Sequence, residues 1–251
     1  MKYIKENWKF FIFVVLICII GGYFATIYSL TYLDQSVIDE AVNQVGSKEL
    51  LILISVIQVS VYAIIFAGLG IVLSNKLGLW KKFEKNKKAI TGVLAISILG
   101  GLALSVIDRY VFGSFIDPVF HSYDNKPTIE YILMAFTYGG VFEEILMRLF
   151  IMSLIAWIIY KLFYKKEKKV PVKVFIVANV ISALLFAAGH LPSTNLSFGY
   201  LDWLIVFRCF LMNGGFGLAF GYLYREYGIQ YSMLAHFGAH LISKIIWILF
   251  I

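Results

Sequence analysis

Two adjacent carboxylates and an arginine stand inside an otherwise apolar run at residues 137–150, TYGGVFEEILMRLF. Glu144 and Arg148 are four residues apart, so on a helix they share one face and are predicted to form an ion pair. Glu143 projects about a quarter-turn away and is left free to exchange a proton, which makes it a candidate general base. Ionisable groups in apolar segments are mostly paired or functional. The alternative is therefore that these residues only hold helices together or line a transport path.

Three histidines lie in the apolar runs that follow. His190 is near the end of LLFAAGHLP, and His236 and His240 are four residues apart in SMLAHFGAHL. That spacing projects both rings from one side of a helix. A single histidine on an apolar face is usually an ordinary core residue, but three beside a free carboxylate favour a shared site. The fourth histidine, His121, lies in a polar loop and is predicted to be solvated.

Attack of water on a carbonyl carbon is the chemistry that suits these groups. Glu143 could take the proton, His190 could orient or share it, and donors from the last helix could stabilise the oxyanion. A second version uses zinc bound by His236, His240 and His190, with Glu143 as the base or a fourth ligand. The spacing of the residues does not choose between the two versions.

Composition places these residues in a membrane. Hydrophobic residues make up 61% of the 251, and the mean hydropathy is +0.83. Several apolar runs reach roughly the twenty residues that a bilayer requires, which predicts an all-α, polytopic transmembrane bundle and excludes a soluble globule. Cys18 and Cys209 both lie in apolar runs, so neither a disulfide framework nor a thiolate metal site is indicated.

Seven spans are predicted, with six or eight as alternatives. The sixth run is the least secure because it contains Asp202 and Arg208, and Pro192 would allow a re-entrant loop after His190. Residues 1–128 are interpreted as N-terminal transmembrane helices and residues 129–251 as catalytic helices, packed together as one integral membrane domain. The runs cover about 10–30, 50–74, 89–112, 129–163, 174–190, 201–224 and 229–251.

Loop charges predict the orientation. Sixteen of the 22 basic residues lie at the N-terminus, in alternate loops, or at Arg225, all on one side of the predicted spans. The positive-inside rule then predicts a cytoplasmic N-terminus. The net charge of +7 is explained by this topology, so no nucleic-acid partner is implied. The abundance of lysine and isoleucine indicates a bacterial cell membrane.

These motifs resemble those of the CPBP family, which comprises type II CAAX prenyl endopeptidases and bacterial relatives linked to bacteriocin processing and self-immunity. The resemblance covers about residues 136–244 and depends on the order and spacing of three motifs. They read Glu143-Glu144-x-x-x-Arg148, then Phe186-x-x-x-His190, then His236 within SMLAH.

The resemblance implies an intramembrane endopeptidase whose substrate is a peptide or protein in or near the bilayer. Glu143 would activate water, supported by the pair of Glu144 and Arg148. His190 would assist at the water, and His236 would bind the oxyanion or a metal ion.

His240 departs from the family pattern, which usually has Asn or Asp at this position. A neutral imidazole can donate one hydrogen bond much as an amide does, or it can bind a metal ion. The substitution could also mark a noncatalytic immunity or regulatory protein that keeps the fold. A proton-coupled transporter is a further alternative, although the sequence shows no inverted repeat of the kind found in many transporters.

Overall fold

A computed structural model describes residues 2–251, and every regular element in that range is helical, which confirms the all-α prediction. Seven helices are long and apolar enough to cross a membrane, as predicted. In chain order they are α1 (Trp8–Tyr32), α2 (Lys48–Leu77), α3 (Lys87–Phe112), α4 (Ile129–Phe163), α5 (Val172–Phe198), α6 (Trp203–Tyr227) and α7 (Ile229–Phe250).

The fifth helix is longer than its apolar run. It continues past His190 and through Pro192 until Gly199, whose φ of 79° ends the helix in the left-handed region. Proline cannot donate a backbone hydrogen bond. Just beyond it, the hydroxyls of Ser193 and Thr194 donate to the carbonyl oxygen of His190 at 3.0 and 2.8 Å. No re-entrant loop therefore follows the histidine.

A single residue, Gly228, connects α6 to α7. Its φ of 106° lies in the region that glycine adopts without strain. Lys81, from the segment after α2, donates to the carbonyl oxygens of Arg225 and Glu226 at 2.9 and 2.5 Å. Partial burial lowers the pKa of this lysine, and the Glu226 carboxylate opposes that shift. The tight turn makes α6 and α7 a hairpin, which brings their facing side chains together.

Helix α4 lies at the centre of the packing. Its N-terminal part, residues 129–143, packs on α1 and α7, whereas residues 145–163 pack on α2 and α5. Helix α3 packs on α7, and α6 packs on α5. The two parts of α4 therefore pack on different helices. Glu143 and Glu144 lie at the junction between these two parts.

Parts of three long helices are π-helical, with wider turns than an α-helix. Such turns are uncommon and are frequent at functional sites. Glu143 ends one π-helical segment, and the next begins immediately after Glu144. The four segments are Ala103–Phe112, Ala135–Glu143, Ile145–Met152 and Phe210–Gly214.

Arg208 is one of the two charged residues that weakened the prediction of the sixth span. It is paired with a buried carboxylate. Its Nε and Nη2 donate to the two carboxylate oxygens of Asp108 in α3 at 2.6 and 2.7 Å. The hydroxyl of Tyr123 donates to the same carboxylate at 3.0 Å. Because paired charges can be tolerated within a helical bundle, α6 can cross despite its arginine.

Gly221 in α6 lies directly against Asn179 in α5. A Cβ atom at Gly221 would overlap the Asn179 side-chain amide, which itself donates to the Leu218 carbonyl oxygen at 2.9 Å. We expect Gly221→Ala to lower the free energy of unfolding by about 1–3 kcal/mol, as overpacking does. The midpoint of thermal unfolding in detergent measures this loss. Gly215→Ala is the control because its Cβ would meet no heavy atom within 4 Å; equal midpoints for both variants would contradict the packing argument.

Candidate active site

Glu143, His190 and His236 meet although they come from three different helices, α4, α5 and α7. One oxygen of the Glu143 carboxylate, Oε1, lies 3.7 Å from His190 Nε2, and the other, Oε2, lies 3.9 Å from His236 Nε2. The Glu143 and His190 side chains are 17% and 30% exposed. The carboxylate is therefore flanked by two imidazoles and is partly exposed.

The hydrogen bond of His190 fixes its tautomer. Its Nδ1 lies 2.8 Å from the carbonyl oxygen of Phe186, one helical turn earlier. A carbonyl oxygen can only accept a hydrogen bond, so Nδ1 carries the proton. In the neutral ring, Nε2 is then an acceptor, and this is the nitrogen that faces Glu143.

His236 has the same tautomer for a different reason. Its Nδ1 lies 2.9 Å from Oε1 of Glu144, and a carboxylate oxygen accepts the bond. The Nε2 atom of His236 is then also an acceptor, and it faces the second oxygen of Glu143. The ring stacks on Phe220 of α6, with centroids 4.5 Å apart.

Three acceptors thus face one another across distances longer than a direct hydrogen bond. At 3.7 and 3.9 Å, neither imidazole bonds directly to Glu143, and such gaps are commonly bridged by water. A water molecule there could donate one proton to the carboxylate and the other to an imidazole. The arrangement is suited to holding water and removing a proton from it.

The predicted ion pair between Glu144 and Arg148 lies directly beneath this cluster. Oε1 of Glu144 is 3.2 Å from Nη1 of Arg148, and the side chains are 0% and 1% exposed. The guanidinium group lies 4.4 and 5.4 Å from the ring centroids of Phe186 and Phe220. Gly217 leaves room for it, because a Cβ there would be 3.0 Å from Nη2.

Ser232 belongs to the site and is absent from the sequence prediction. Its hydroxyl is hydrogen-bonded to Oε2 of Glu144, and it also lies 2.9 Å from the carbonyl oxygen of Phe220. The feature of the sequence that could have identified Ser232 is its position four residues before His236, which places it on the same face of α7. Together, Ser232, His236 and Arg148 surround both oxygens of the buried carboxylate.

His240 lies beside His236 with the rings stacked, 4.9 Å between centroids and 25° between planes. Its Nε2 atom is packed on Gly139 of α4, where a Cβ atom would approach it to 2.8 Å. Its Nδ1 atom is buried and has no hydrogen-bond partner among residues 2–251. This nitrogen is therefore a polar atom left unpaired inside the bundle. His121, as its loop position predicts, is exposed, and it pairs with Asp124 at 2.8 Å outside the cluster.

The histidines are not arranged as a metal site. Throughout the described chain, residues 2–251, no group of three or more His, Cys, Asp or Glu side chains has a geometry that would hold a metal ion. Nitrogen lone pairs lie in the ring plane, so the near-parallel stacking of His236 on His240 keeps their lone pairs from converging. The set of His190, His236 and His240 does not fit zinc in this structure.

Removing Arg148 alone would leave Glu144 buried without its cation. Breaking a buried pair in this way costs about 3–5 kcal/mol. We therefore expect Arg148→Met to lower the midpoint of thermal unfolding in detergent strongly. The double variant with Glu144→Gln removes both charges and should recover part of the loss. A double variant less stable than Arg148→Met would contradict the electrostatic explanation.

Comparison with known families supports the resemblance. Residues 125–242 match the family described as "Type II CAAX prenyl endopeptidase Rce1-like", which confirms the family indicated by the motifs. No curated protein and no solved structure matches the chain. The matched range contains every residue of the site, namely Glu143, Glu144, Arg148, Phe186, His190, Gly217, Phe220, Ser232, His236 and His240.

Proposed function

We propose that this integral membrane protein hydrolyses a peptide bond in a membrane-associated peptide or protein, since residues 125–242 match the Rce1-like family of type II CAAX prenyl endopeptidases. One observation carries the proposal. The carboxylate oxygens of Glu143 lie 3.7 Å from Nε2 of His190 and 3.9 Å from Nε2 of His236, distances at which a water molecule beside them can bridge both groups.

In the proposed reaction, Glu143 is the general base. Its carboxylate takes a proton from water while Nε2 of His190 accepts the other hydrogen bond and orients the oxygen. The water oxygen attacks the peptide carbonyl carbon and forms a tetrahedral intermediate. When the carbon–nitrogen bond breaks, Glu143 returns the proton to the leaving amine. The carboxylate is thus regenerated within one cycle.

The oxyanion needs a hydrogen-bond donor, and His240 supplies a candidate. An N–H at its free Nδ1 can donate one hydrogen bond, as the amide of asparagine does. His236 would need a proton on Nε2 to share this role, and the Glu144 carboxylate at Nδ1 would stabilise the resulting imidazolium. We propose that Glu144 and Arg148 support the site without touching the substrate.

A second candidate function is a noncatalytic immunity or regulatory protein with the same fold. It is favoured by one observation, the presence of His240 where the family usually has Asn or Asp. Under this alternative, the protein would bind a toxin or sensor partner and would keep its biological effect without Glu143 or His190.

The orientation and division of the chain are also part of the proposal. We infer that the protein lies in a bacterial cell membrane with its N-terminus in the cytoplasm, because of the lysine-rich alternate loops. Residues 129–251 would provide the catalytic groups. Residues 1–128 would position them, since α1 and α2 pack on α4, and α3 packs on α7.

Glu143→Gln and His190→Ala should abolish cleavage, whereas folding and insertion should be retained. Removing a general base or the residue that orients its water typically costs about 10²–10⁴-fold in rate. Cleavage of a peptide library by purified protein measures the effect, and elution from size exclusion verifies folding. Glu167→Gln, in the exposed loop after α4, is the matched acidic control and should retain activity. Unchanged cleavage in both site variants would refute the assigned roles.

Cleavage should also withstand chelation, because the histidines do not form a preformed zinc site. We expect activity to be unchanged in EDTA or 1,10-phenanthroline. Metal analysis of the purified protein should find far less than one zinc per chain, with no further fall in His236→Ala or His240→Ala. Near-stoichiometric zinc that is lost in both variants would instead establish a metallopeptidase with His240 as a ligand.

A further inference from the structure

We propose that Tyr231, which lies outside the catalytic cluster, is a positioning residue for the reaction. With the α2–α3 loop, residues 78–86, it fixes the rotation of α7 that brings His236 to Glu144. The inference rests on the proposed function and extends it to a loop that lies outside the range matched by the family. It follows from the hydrogen bonds between this loop and the hairpin of α6 and α7.

The hydroxyl of Tyr231 is the centre of this contact. It donates to the carbonyl oxygen of Glu84 at 2.5 Å and accepts from the backbone N–H of Asn86 at 3.0 Å. Asn86 in turn caps α3, because its side-chain oxygen accepts from the backbone N–H of Ala89 at 3.1 Å. Tyr231 is 2% exposed, and its ring lies 5.3 Å from that of Phe83. One buried hydroxyl therefore joins the start of α7 to the loop and to the start of α3.

The same loop also holds the end of α6. Lys81 donates to the carbonyl oxygens of Arg225 and Glu226. A cation is favourable at the C-terminus of a helix, where the last carbonyl groups have no partner within the helix. At Gly228, which connects α6 to α7, a Cβ atom would be 3.2 Å from the Cβ atom of Lys81. The loop thus contacts the hairpin on both sides of its connecting residue.

The catalytic cluster depends on the rotation of α7. Ser232, the residue after Tyr231, is hydrogen-bonded to Glu144, and His236 bonds to the same carboxylate one turn later at 2.9 Å. Hydrogen bonds weaken steeply as their geometry departs from linear, so both bonds tolerate only a small rotation of the helix. Tyr231 projects about 100° away from Ser232, since a helix has roughly 3.6 residues per turn. Its influence on the site therefore passes through the helix.

Helix α3 makes a second, weaker contact with the first turns of α7. The hydroxyl of Ser97 donates to the carbonyl oxygen of Ala235 at 3.3 Å, and a Cβ atom at Gly238 would overlap Ser97. A hydroxyl donor usually lies closer to its acceptor than this. The shorter bonds of Tyr231 therefore provide more of the constraint on the start of α7.

Kinetics of Tyr231→Phe test the proposal, because the change removes the hydroxyl and keeps the ring. The probe is the peptide of the library that the purified wild-type protein cleaves fastest. We expect kcat to fall about 10-fold, since a misplacement of about 1 Å can cost on the order of 10²-fold. KM should not change, because Tyr231 does not contact the substrate.

Tyr123→Phe is the matched control. The hydroxyl of Tyr123 also has two partners, the carbonyl oxygen of Leu104 and the carboxylate of Asp108, both at 3.0 Å, and the residue is 6% exposed. This variant should lower the midpoint of thermal unfolding and leave kcat unchanged. An unchanged kcat in Tyr231→Phe, or an equal fall in Tyr123→Phe, would overturn the proposal.

A double variant tests the route through the helix. If Tyr231 acts by placing Ser232, its loss should matter less once Ser232→Ala has removed one of the bonds to Glu144. The fall in kcat of the double variant should therefore be smaller than the product of the two single falls. Losses that multiply fully would show that Tyr231 and Ser232 act independently, against the proposal.

Amide hydrogen exchange, followed by mass spectrometry, tests the loop without requiring cleavage. Residues 229–240 should exchange faster in Tyr231→Phe but at the wild-type rate in Tyr123→Phe, because the start of α7 opens more easily without the loop. Unchanged exchange in Tyr231→Phe would contradict the proposal. If that variant does not accumulate, Lys81→Met removes the bonds of the loop to α6 and should likewise speed exchange there. Wild-type protein that cleaves no peptide would refute the proposed function alone, so the two failures are distinguished.

Discussion

The site depends on keeping one carboxylate charged inside a membrane helix bundle. Glu144 has no exposed surface, and an unpaired charge at such a position is costly. Arg148, His236 and Ser232 offset this cost by contacting its two oxygens. Because Arg148 lies on α4 and the other two lie on α7, the same contacts fix the two helices relative to each other. They also determine which nitrogen of His236 carries its proton.

Glu143 and Glu144 show how environment separates two adjacent, identical side chains. Glu144 is enclosed by hydrogen-bond donors and a cation and has no exposed surface, so a substrate does not reach it. Glu143 turns toward the partly exposed side, where the Nε2 atoms of His190 and His236 lie 3.7 and 3.9 Å from its oxygens. An ionised carboxylate with no fixed donor is suited to accepting a proton from a mobile molecule.

The helices that contribute no catalytic group still determine where α4 and α7 lie. Gly21 of α1 packs so closely on α4 that a Cβ would be 2.8 Å from the backbone nitrogen of Tyr138. Gly70 of α2 approaches the carbonyl oxygen of Leu149 in the same way, at 2.9 Å. Gly101 of α3 lies directly against Ile242 of α7. Small residues allow such close helix packing in membranes. The N-terminal half therefore acts on the site through backbone contact.

The all-α membrane architecture, the number of long spans and the pair of Glu144 with Arg148 could all be predicted from the amino-acid sequence. These follow from local properties, namely the length of apolar runs and the four-residue spacing of side chains on one helix. The sequence also singled out the residues that meet, Glu143, His190 and His236, but gave neither the distances between them nor their tautomers. Those depend on contacts between helices far apart in the chain, such as His236 with Glu144, which no local pattern encodes. The arrangement of His236 and His240 is likewise a tertiary feature, because a four-residue histidine spacing is compatible with both a shared ligand set and the stacked rings that the structure has.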